Sequence, residues 1–315
     1  MKISSIAILG ECMVELSEVG GLVGLGFAGD TLNTAIYLKR LAPLVDVHYV
    51  TAIGKDSYSQ RMRANWASEG LETHLAMSFS DKLPGIYAIE TDECGERTFN
   101  YWRSESAASH MVKHPEFPEV CSQVEKLDAI YLSGISLAIV SDEDKATLLK
   151  VISRLKQRGI YVVVDSNYRP RLWDACQHAR QWMTKLYQLA DLALVTADDE
   201  IALWGGSELD VIPRLNSFEI RQLVVKRGAE GACWRDGQRS GTVETEKVGN
   251  VIDTTAAGDS FNAAYLAAWC SSMDMAKCCY WGNKLAAQVI QHKGAIIPTE
   301  HMSYLTELMG IEHDE

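Results

Sequence analysis

The sequence lacks any apolar run long enough to cross a bilayer, which predicts a chain without a transmembrane helix. It is also short of positive charge: 30 lysines and arginines stand against 42 aspartates and glutamates, a formal net charge of -12. That balance argues against a general nucleic-acid or membrane surface, so an anionic ligand would need a local pocket of arginines. The eight cysteines and eight histidines are scattered, with no C-x-x-C or H-E-x-x-H pattern, and no zinc site built by the protein is expected. Cys278 and Cys279 are adjacent within a helical pattern and read, with the other cysteines, as packing residues. A G-x-x-x-x-G-K-[ST] loop is absent, as is a dinucleotide fingerprint after the first apolar run. A nucleotide phosphate site must therefore be of another kind.

What is present is ample core material, 47% of 315 residues, arranged as strands alternating with helices. The apolar run in residues 1–12 is cut by Gly10 and Glu11 before it reaches signal length, which predicts a cytoplasmic chain. Strand patterns at 4–10, 45–54, 129–134, 160–167, 192–196 and 221–228 are interleaved with helix patterns at 31–42, 57–70 and 144–159. This order predicts an α/β fold with a mostly parallel central sheet flanked by helices. Two stretches break the alternation. Residues 83–103 read as two strands around a polar turn, which with Glu11 to Leu16 and Gly24 to Phe27 would make a small β-sheet lid or an oligomer contact. Residues 232–246 read as a hairpin with Asp236-Gly237 at its turn. The expected organisation is one domain over 1–309, with a discontinuous lid from about 11–27 and 83–103, and a polar tail at 310–315.

Chemistry concentrates where small residues precede helices. DTTAAGDSFNAAYLAAW, residues 253 to 269, can bring the first helical amides, at Ala257, Gly258 and Asp259, close to a phosphate. Asp259 reads either as a helix cap or as the base that takes a proton from a substrate hydroxyl. As a base it would be weak, and a helix N-terminus would weaken it further. FAGDTLNTA, residues 27 to 35, offers Asp30 or Thr31 as a cap, or Asp30 and Asn33 as partners for a polyol. Arg97, Arg103, Arg169 and Arg171 fall near strand ends. Arg103 and Arg169 are candidates for a substrate carboxylate, while solvated side chains account for Arg97 and Arg171. Alternation puts Tyr101 and Arg103 on one face, with Trp102 packing beneath, and Tyr87 fits packing or ligand contact. VKRGAEGACW, residues 225 to 234, reads as a nucleotide-facing turn or a plain hairpin entry. Glu200 starts a helix or positions magnesium through water.

At these residues the chain resembles the ribokinase-like, or PfkB-type, carbohydrate kinases. DTTAAGDSFNAAYLA is similar to that family's DTxGAGDxF signature, and AGDTLNTA to its sugar-binding region. The resemblance covers almost the whole chain and implies a ribokinase-like α/β fold with a small β lid often used in dimer contacts. It implies transfer of the terminal phosphoryl of ATP, with Mg2+, to a sugar hydroxyl, Asp259 being the base and Ala257, Gly258 and Asp259 the anion hole. Nucleotide contacts are implied at Asn167, Arg169, Lys226, Arg227, Gly228, Ala229, Glu230, Gly231, Ala256, Ala257, Gly258, Asp259 and Asn283. Two positions depart from the pattern. Ala256 replaces the first glycine of GAGD, and Ala197 replaces the asparagine of N-x-x-E while Glu200 is retained. GECMVELS, GFAGDTLNTAIYLKRL, NYWR, LSGIS and DSNYRPRLW are similar to a branch of the family whose substrate is an acid sugar. That branch implies contacts from Gly29, Asp30, Thr31, Leu32, Asn33, Tyr87, Tyr101, Trp102, Arg103, Arg169 and Asp259. A kinase for another sugar or a nucleoside is the alternative within the family, and a noncatalytic sugar-binding relative the alternative outside catalysis.

Overall fold

A computed structural model describes residues 3–19, 22–91 and 97–302. Its strands are β1 Ser5–Leu9, β2 Met13–Val19, β3 Leu22–Ala28, β4 Asp46–Ile53, β5 Ala76–Ser78, β6 Ile86–Thr91 and β7 Arg97–Trp102, then β8 Ala129–Ser133, β9 Tyr161–Asp165, β10 Leu192–Thr196, β11 Gln222–Lys226, β12 Ala232–Asp236 and β13 Arg239–Val243. The helices are α1 Asp30–Leu41, α2 Ser57–Ser68, α3 Phe117–Val124, α4 Gly134–Ala138 and α5 Asp142–Gln157, followed by α6 Cys176–Leu189, α7 Ala197–Trp204, α8 Glu208–Asn216, α9 Ala257–Cys270 and α10 Met275–Val289.

Among the described residues, nine strands form one sheet in the order β13-β12-β11-β10-β9-β8-β1-β4-β5. The pairs from β11 through β5 are parallel, while β11–β12 and the β12–β13 hairpin, turned at Gly237 with φ 60, are antiparallel. Because helices cover both faces, the central strands are apolar throughout rather than alternating. In β1, Ile6 and Ile8 pack on one side with α1, α2, α9 and α10, while Ala7 and Leu9 pack on the other with α3, α5 and α6. This period of 2 divides the core into two layers on either side of one sheet.

Parallel strands leave all their C-terminal ends at one edge, where α/β sheets place ligands. Here that edge carries Ser133, Asp165, Thr196 and Lys226, each closing an apolar strand. The starts of α1 and α9 lie there too, side by side, with Thr34 Oγ1 donating to the Asp259 carbonyl at 3.3 Å.

The second sheet has the order β3-β2-β6-β7 among the described residues. Register puts Gly26, Glu15, Tyr87 and Tyr101 in one cross-strand row. On this face Met13, Ala28 and Tyr87 cluster with Ala295 and Ala256, so the small sheet packs onto the loop that opens α9. The polar turn expected within 83–103, the Arg97 side chain, Cys94 and the tail 310–315 lie outside the described residues. No helix among them is long and apolar enough to cross a membrane.

Candidate active site

The loop before α9 is tied down by Asp253, which accepts from the amides of Thr255 at 3.0 Å and Gly294 at 2.7 Å. Ala256 is the N-cap residue and adopts the left-handed conformation, φ 60 and ψ 15. That conformation explains why glycine is usual at this position: an L-residue there is strained by about 1–2 kcal/mol. The Ala257 amide donates to the Thr254 carbonyl at 3.2 Å. The amides of Gly258 and Asp259 lie in the first turn, where no acceptor exists within the helix, and so remain oriented toward an anion. A methyl at Gly258 would sit 3.6 Å from Lys226 Nζ, which places the ammonium just under the loop.

Asp259 is not a cap. No side chain caps α9, and the Asp259 carboxylate instead accepts from Asn33 Nδ2 at 2.8 Å. The weakening expected from the helix end is also reversed. Burial, then the charge of Asp30, pushes the Asp259 carboxyl up to about 7, against the opposing pull of the Asn33 hydrogen bond and the Lys226 charge. A carboxylate withheld from water and set beside other carboxylates holds a proton more tightly. This suits a base operating near neutrality far better than an exposed aspartate.

Neither Asp30 nor Thr31 caps α1, whose N-cap is Gly29 without a side-chain bond. Asp30 reaches sideways to Ser133 Oγ at 2.5 Å and Asn167 Nδ2 at 2.9 Å, with Asn167 held at φ 31. Burial raises its pKa. Thr31 turns into the core onto Tyr49, and the Leu32 side chain is wholly buried, so these two can offer a ligand only backbone. Asn33 keeps a buried Oδ1 without a partner, an acceptor available to a sugar hydroxyl.

Beneath Asp259, Lys226 donates to Asp165 and Asn262, each at 3.0 Å, and Asn262 donates to the Tyr131 hydroxyl at 3.0 Å. Asp165, Asn262, Tyr131 and Ser133 were missed by sequence reasoning. A polar residue closing an apolar strand, as in YVVVD, AIYLS and QLVVK, was the available signal.

The small sheet supplies the other wall. Tyr87 donates to Glu15 and stacks on Tyr101 with ring centroids 5.8 Å apart. Burial raises Tyr101 while the charges of Arg103, Arg169 and Arg171 pull the other way, and of the three the Arg103 guanidinium stands 5.9 Å from its ring centroid. Arg171 is exposed, as expected of a solvated side chain, and acts on Tyr101 through its charge alone. Both expected carboxylate binders are already engaged. Arg103 pairs with Glu11, and Arg169 bonds the Tyr168 carbonyl at 2.9 Å and Asp199 at 3.2 Å. Trp102 does not pack beneath them. It is 61% exposed on the opposite face of the sheet.

On the far side of the loop, register links Lys226 to Ala232 and Ala232 to Val243, and Asn283 Nδ2 donates to the Val243 carbonyl at 3.1 Å. Asn283 borders a groove lined also by Glu244, Thr245, Glu246, Tyr280 and Lys284, and Gly231 of the 226–231 turn packs beside it on Val243 and Glu244. Gly228 and Gly231 have φ 55 and φ 87, and a methyl at Gly231 would strike the Val243 carbonyl. Ala229 and Glu230 are exposed, while the Arg227 side chain is directed away to Glu208 and Glu230.

For magnesium, the described residues hold no group of three ligands. Glu200 is wholly buried, accepts from Tyr187, and has Oε2 without a partner; burial pushes it up to about 7. Asp199, its neighbour, faces Ser166 at 3.3 Å and Arg169. Carboxylates outside direct reach fit an ion carried on nucleotide phosphates and held through water, not a protein cage. Cys176, read as packing, is exposed at the start of α6.

Residues 4–302 match the model of the pfkB family of carbohydrate kinases. The chain belongs to that family, and its α/β architecture with a small second sheet is ribokinase-like. It is 45% identical to the 2-dehydro-3-deoxygluconokinase of Dickeya dadantii, over 96% of this chain and 99% of that one. It is 43% identical to the 2-dehydro-3-deoxygluconokinase of Haemophilus influenzae, over 95% and 98%. A crystal structure of a putative Ribokinase II from E. coli in complex with ATP and Mg+2 superposes with a TM-score of 0.83 at 20% identity, covering 99% of this chain and 100% of that one.

Proposed function

We propose that this protein transfers the terminal phosphoryl group of ATP to the terminal hydroxyl of 2-dehydro-3-deoxygluconate, giving 2-dehydro-3-deoxy-6-phosphogluconate and ADP. The observation that carries this reading is the Arg103 guanidinium set 5.9 Å from the Tyr101 ring centroid, in a wall whose positive charge Arg169 and Arg171 reinforce. A neutral sugar has no use for such a group, whereas a sugar carboxylate is matched by arginine forks. The two relatives at 43% and 45% identity, whose names print this activity, support the same substrate.

With the carboxylate held under the small sheet, the opposite end of the sugar is directed to Asp259. The carboxylate of Asp259, oriented by Asn33, accepts the hydroxyl proton as the oxygen closes on phosphorus. The Gly258 and Asp259 amides offset charge on the moving group, and Lys226 adds a fixed positive charge below it. ATP lies across the groove between the 226–231 turn and Asn283. Asp199 and Glu200 would hold, through water, the magnesium ion that the ATP phosphates carry, and that ion would offset oxygen charge there. The small sheet acts as a lid that excludes water. Its outer face, with Val23 72% and Trp102 61% exposed, is the surface on which two copies would pair. A cytoplasmic setting supplies the ATP.

A coupled ADP-release assay with 2-dehydro-3-deoxygluconate, gluconate, fructose, ribose and adenosine tests the reading. The acid sugar is expected to lead in kcat/KM by about 100-fold or more, since a site built for a carboxylate rejects ligands that lack it. Preference for fructose, ribose or adenosine selects another kinase of the family. Binding without ADP formation selects a noncatalytic sugar-binding protein.

A further inference from the structure

The chain crosses between the large and small sheets at several points, and these crossings meet around one buried carboxylate. Glu11 lies between β1 and β2 and is 2% exposed. Arg103, just past β7, donates to Glu11 Oε2. Gly85, just ahead of β6, leaves the space that Glu11 fills: a methyl there would lie 2.8 Å from Oε1 and 3.1 Å from the Arg103 Cβ. Gly29, just ahead of α1, lies so close that a methyl would strike the Glu11 carbonyl oxygen. Gly85 thus makes room for the charged group, and Gly29 for the backbone that carries it, at a junction where an apolar side chain would pack more cheaply.

A buried ion pair is a weak source of stability, because desolvation of both charges offsets their attraction. What it supplies is orientation. Arg103 uses Nη2 on Glu11, its Nε is buried on that same edge of the guanidinium, and the guanidinium stands 5.9 Å from the Tyr101 ring centroid. The Nε/Nη2 edge is thus turned to Glu11, and Nη1 at the other end of the fork makes no hydrogen bond among the described residues.

We propose that Glu11 is a positioning residue for the acid sugar: it anchors Arg103 so that the Nη1 end of the fork meets the sugar carboxylate. This rests on the acid-sugar reading above. Glu11 offsets the charge of Arg103, as Asp199 offsets that of Arg169, so the contribution of Glu11 is geometric rather than a long-range pull on an anion. Without it the guanidinium is left as an uncompensated buried charge and turns toward water. The fork must then be ordered anew at each binding event, which weakens binding without touching the chemistry at Asp259.

The test is a double-mutant cycle of Glu11→Gln and Arg103→Met, reading kcat and KM for 2-dehydro-3-deoxygluconate, KM for ATP, and the thermal midpoint. Glu11→Gln is expected to raise the sugar KM about tenfold while leaving kcat and the ATP KM within about twofold, and in the Arg103→Met background to add less than about twofold. The same factor in both backgrounds overturns the proposal, as does an unchanged sugar KM. If Glu11→Gln does not fold, Glu11→Asp, which keeps the charge and shortens the reach, is expected to show the same loss of effect in the Arg103→Met background, and additivity overturns the proposal there too. Arg103→Met alone separates the two readings. If it leaves the preference for acid over neutral sugar intact, the acid-sugar assignment fails. If it abolishes that preference while Glu11→Gln stays additive, only the positioning by Glu11 fails.

Discussion

Helices α2 and α9 each begin with an aspartate at or near the first turn, and the two carboxylates are used in opposite ways. Asp56 is the N-cap of α2 and accepts from the amides of Tyr58 at 2.9 Å and Ser59 at 3.1 Å, and from Ser59 Oγ at 2.6 Å. Burial alone would raise it, but these hydrogen bonds together leave it below the usual carboxylate range. Asp259 lies three positions past the N-cap of α9, takes no amide of its own helix among its resolved bonds, and is oriented by Asn33. Burial and the Asp30 charge then push it up to about 7. Proximity to the positive end of a helix therefore does not decide what an aspartate does. A cap that satisfies the amides closes the helix start to ligands and leaves the carboxylate inert. Withholding the cap leaves the amides to an anion and the carboxylate to a proton.

The largest effect follows from exchanging each carboxylate for a neutral group. Asp259→Asn is expected to lower kcat by about 10²–10⁴-fold, the range for loss of a general base, while the protein stays folded. Asp56→Ala should leave kcat within about twofold, because the bonds of Asp56 run to Tyr58 and Ser59 of its own helix and to none of the residues around Asp259. Steady-state kinetics on both variants checks the contrast, and comparable losses would erase it.

The pH dependence comes next in size. A base must be unprotonated to act, so kcat/KM is expected to fall about tenfold per pH unit below about 7 and to level off above it. Asp30 is the second cause of the raised value. Replacing its charge in Asp30→Asn should move that limb to lower pH, and a limb that stays put would remove the link between the two carboxylates. Stability has the opposite sign. The folded protein holds the Asp259 proton more tightly than the unfolded chain, so this group's contribution declines as pH rises from about 4 to 7. The gain in thermal midpoint from Asp259→Asn is therefore larger at pH 8 than at pH 5.

A smaller effect belongs to the capped helix. Asp56→Ala removes the acceptor for two first-turn amides and should destabilise by about 1 kcal/mol, the usual loss for a cap. Urea or thermal unfolding reads it directly. No measurable loss would mean that Ser59 or water takes over the amides.

The same contrast marks how far the sequence could be read. The loop of α9 was legible because small residues, a glycine and an aspartate are contiguous along the chain, as are the apolar runs that became β1, β8, β9 and β11. The direction of the Asp259 shift was not, since Asp30 and Asn33, which help to set its environment, lie more than 200 positions away, Asn33 at a separation of 226. Lys226 was placed near the nucleotide, but its bonds to Asp165 and Asn262 depend on β9, β11 and α9 meeting at one edge, which spacing cannot give. Glu11 and Arg103 are separated by 92 residues and meet only because two sheets share a junction. Glu200 reads in the sequence as starting a helix or as positioning magnesium through water. It falls in the first turn of α7, where the helix directs Asp199 toward Ser166 and Arg169 and buries Glu200 against Tyr187. One residue along a helix is about 100° of rotation, and a motif read as a string does not carry that angle.

Ala256 offers the finest adjustment. Its left-handed backbone is strained by about 1–2 kcal/mol for an L-residue, and glycine would relieve that strain. Glycine would also loosen the unfolded chain, an opposing effect of about 0.5–1 kcal/mol. In addition it would remove a methyl that packs against Met13, Tyr87 and Ala28. These contributions nearly cancel, so Ala256→Gly is expected to shift stability by less than Asp56→Ala does. Its signature should lie in binding instead. The methyl is where the small sheet rests on the phosphate-facing loop, and its loss should raise the sugar KM by about two- to threefold through a looser fit of the lid. A stabilisation of about 2 kcal/mol with unchanged KM would show that the methyl only strains the loop. A destabilisation of that size would show that the contact with Met13 and Tyr87 outweighs the backbone, and that the small sheet is fastened to the loop rather than resting on it.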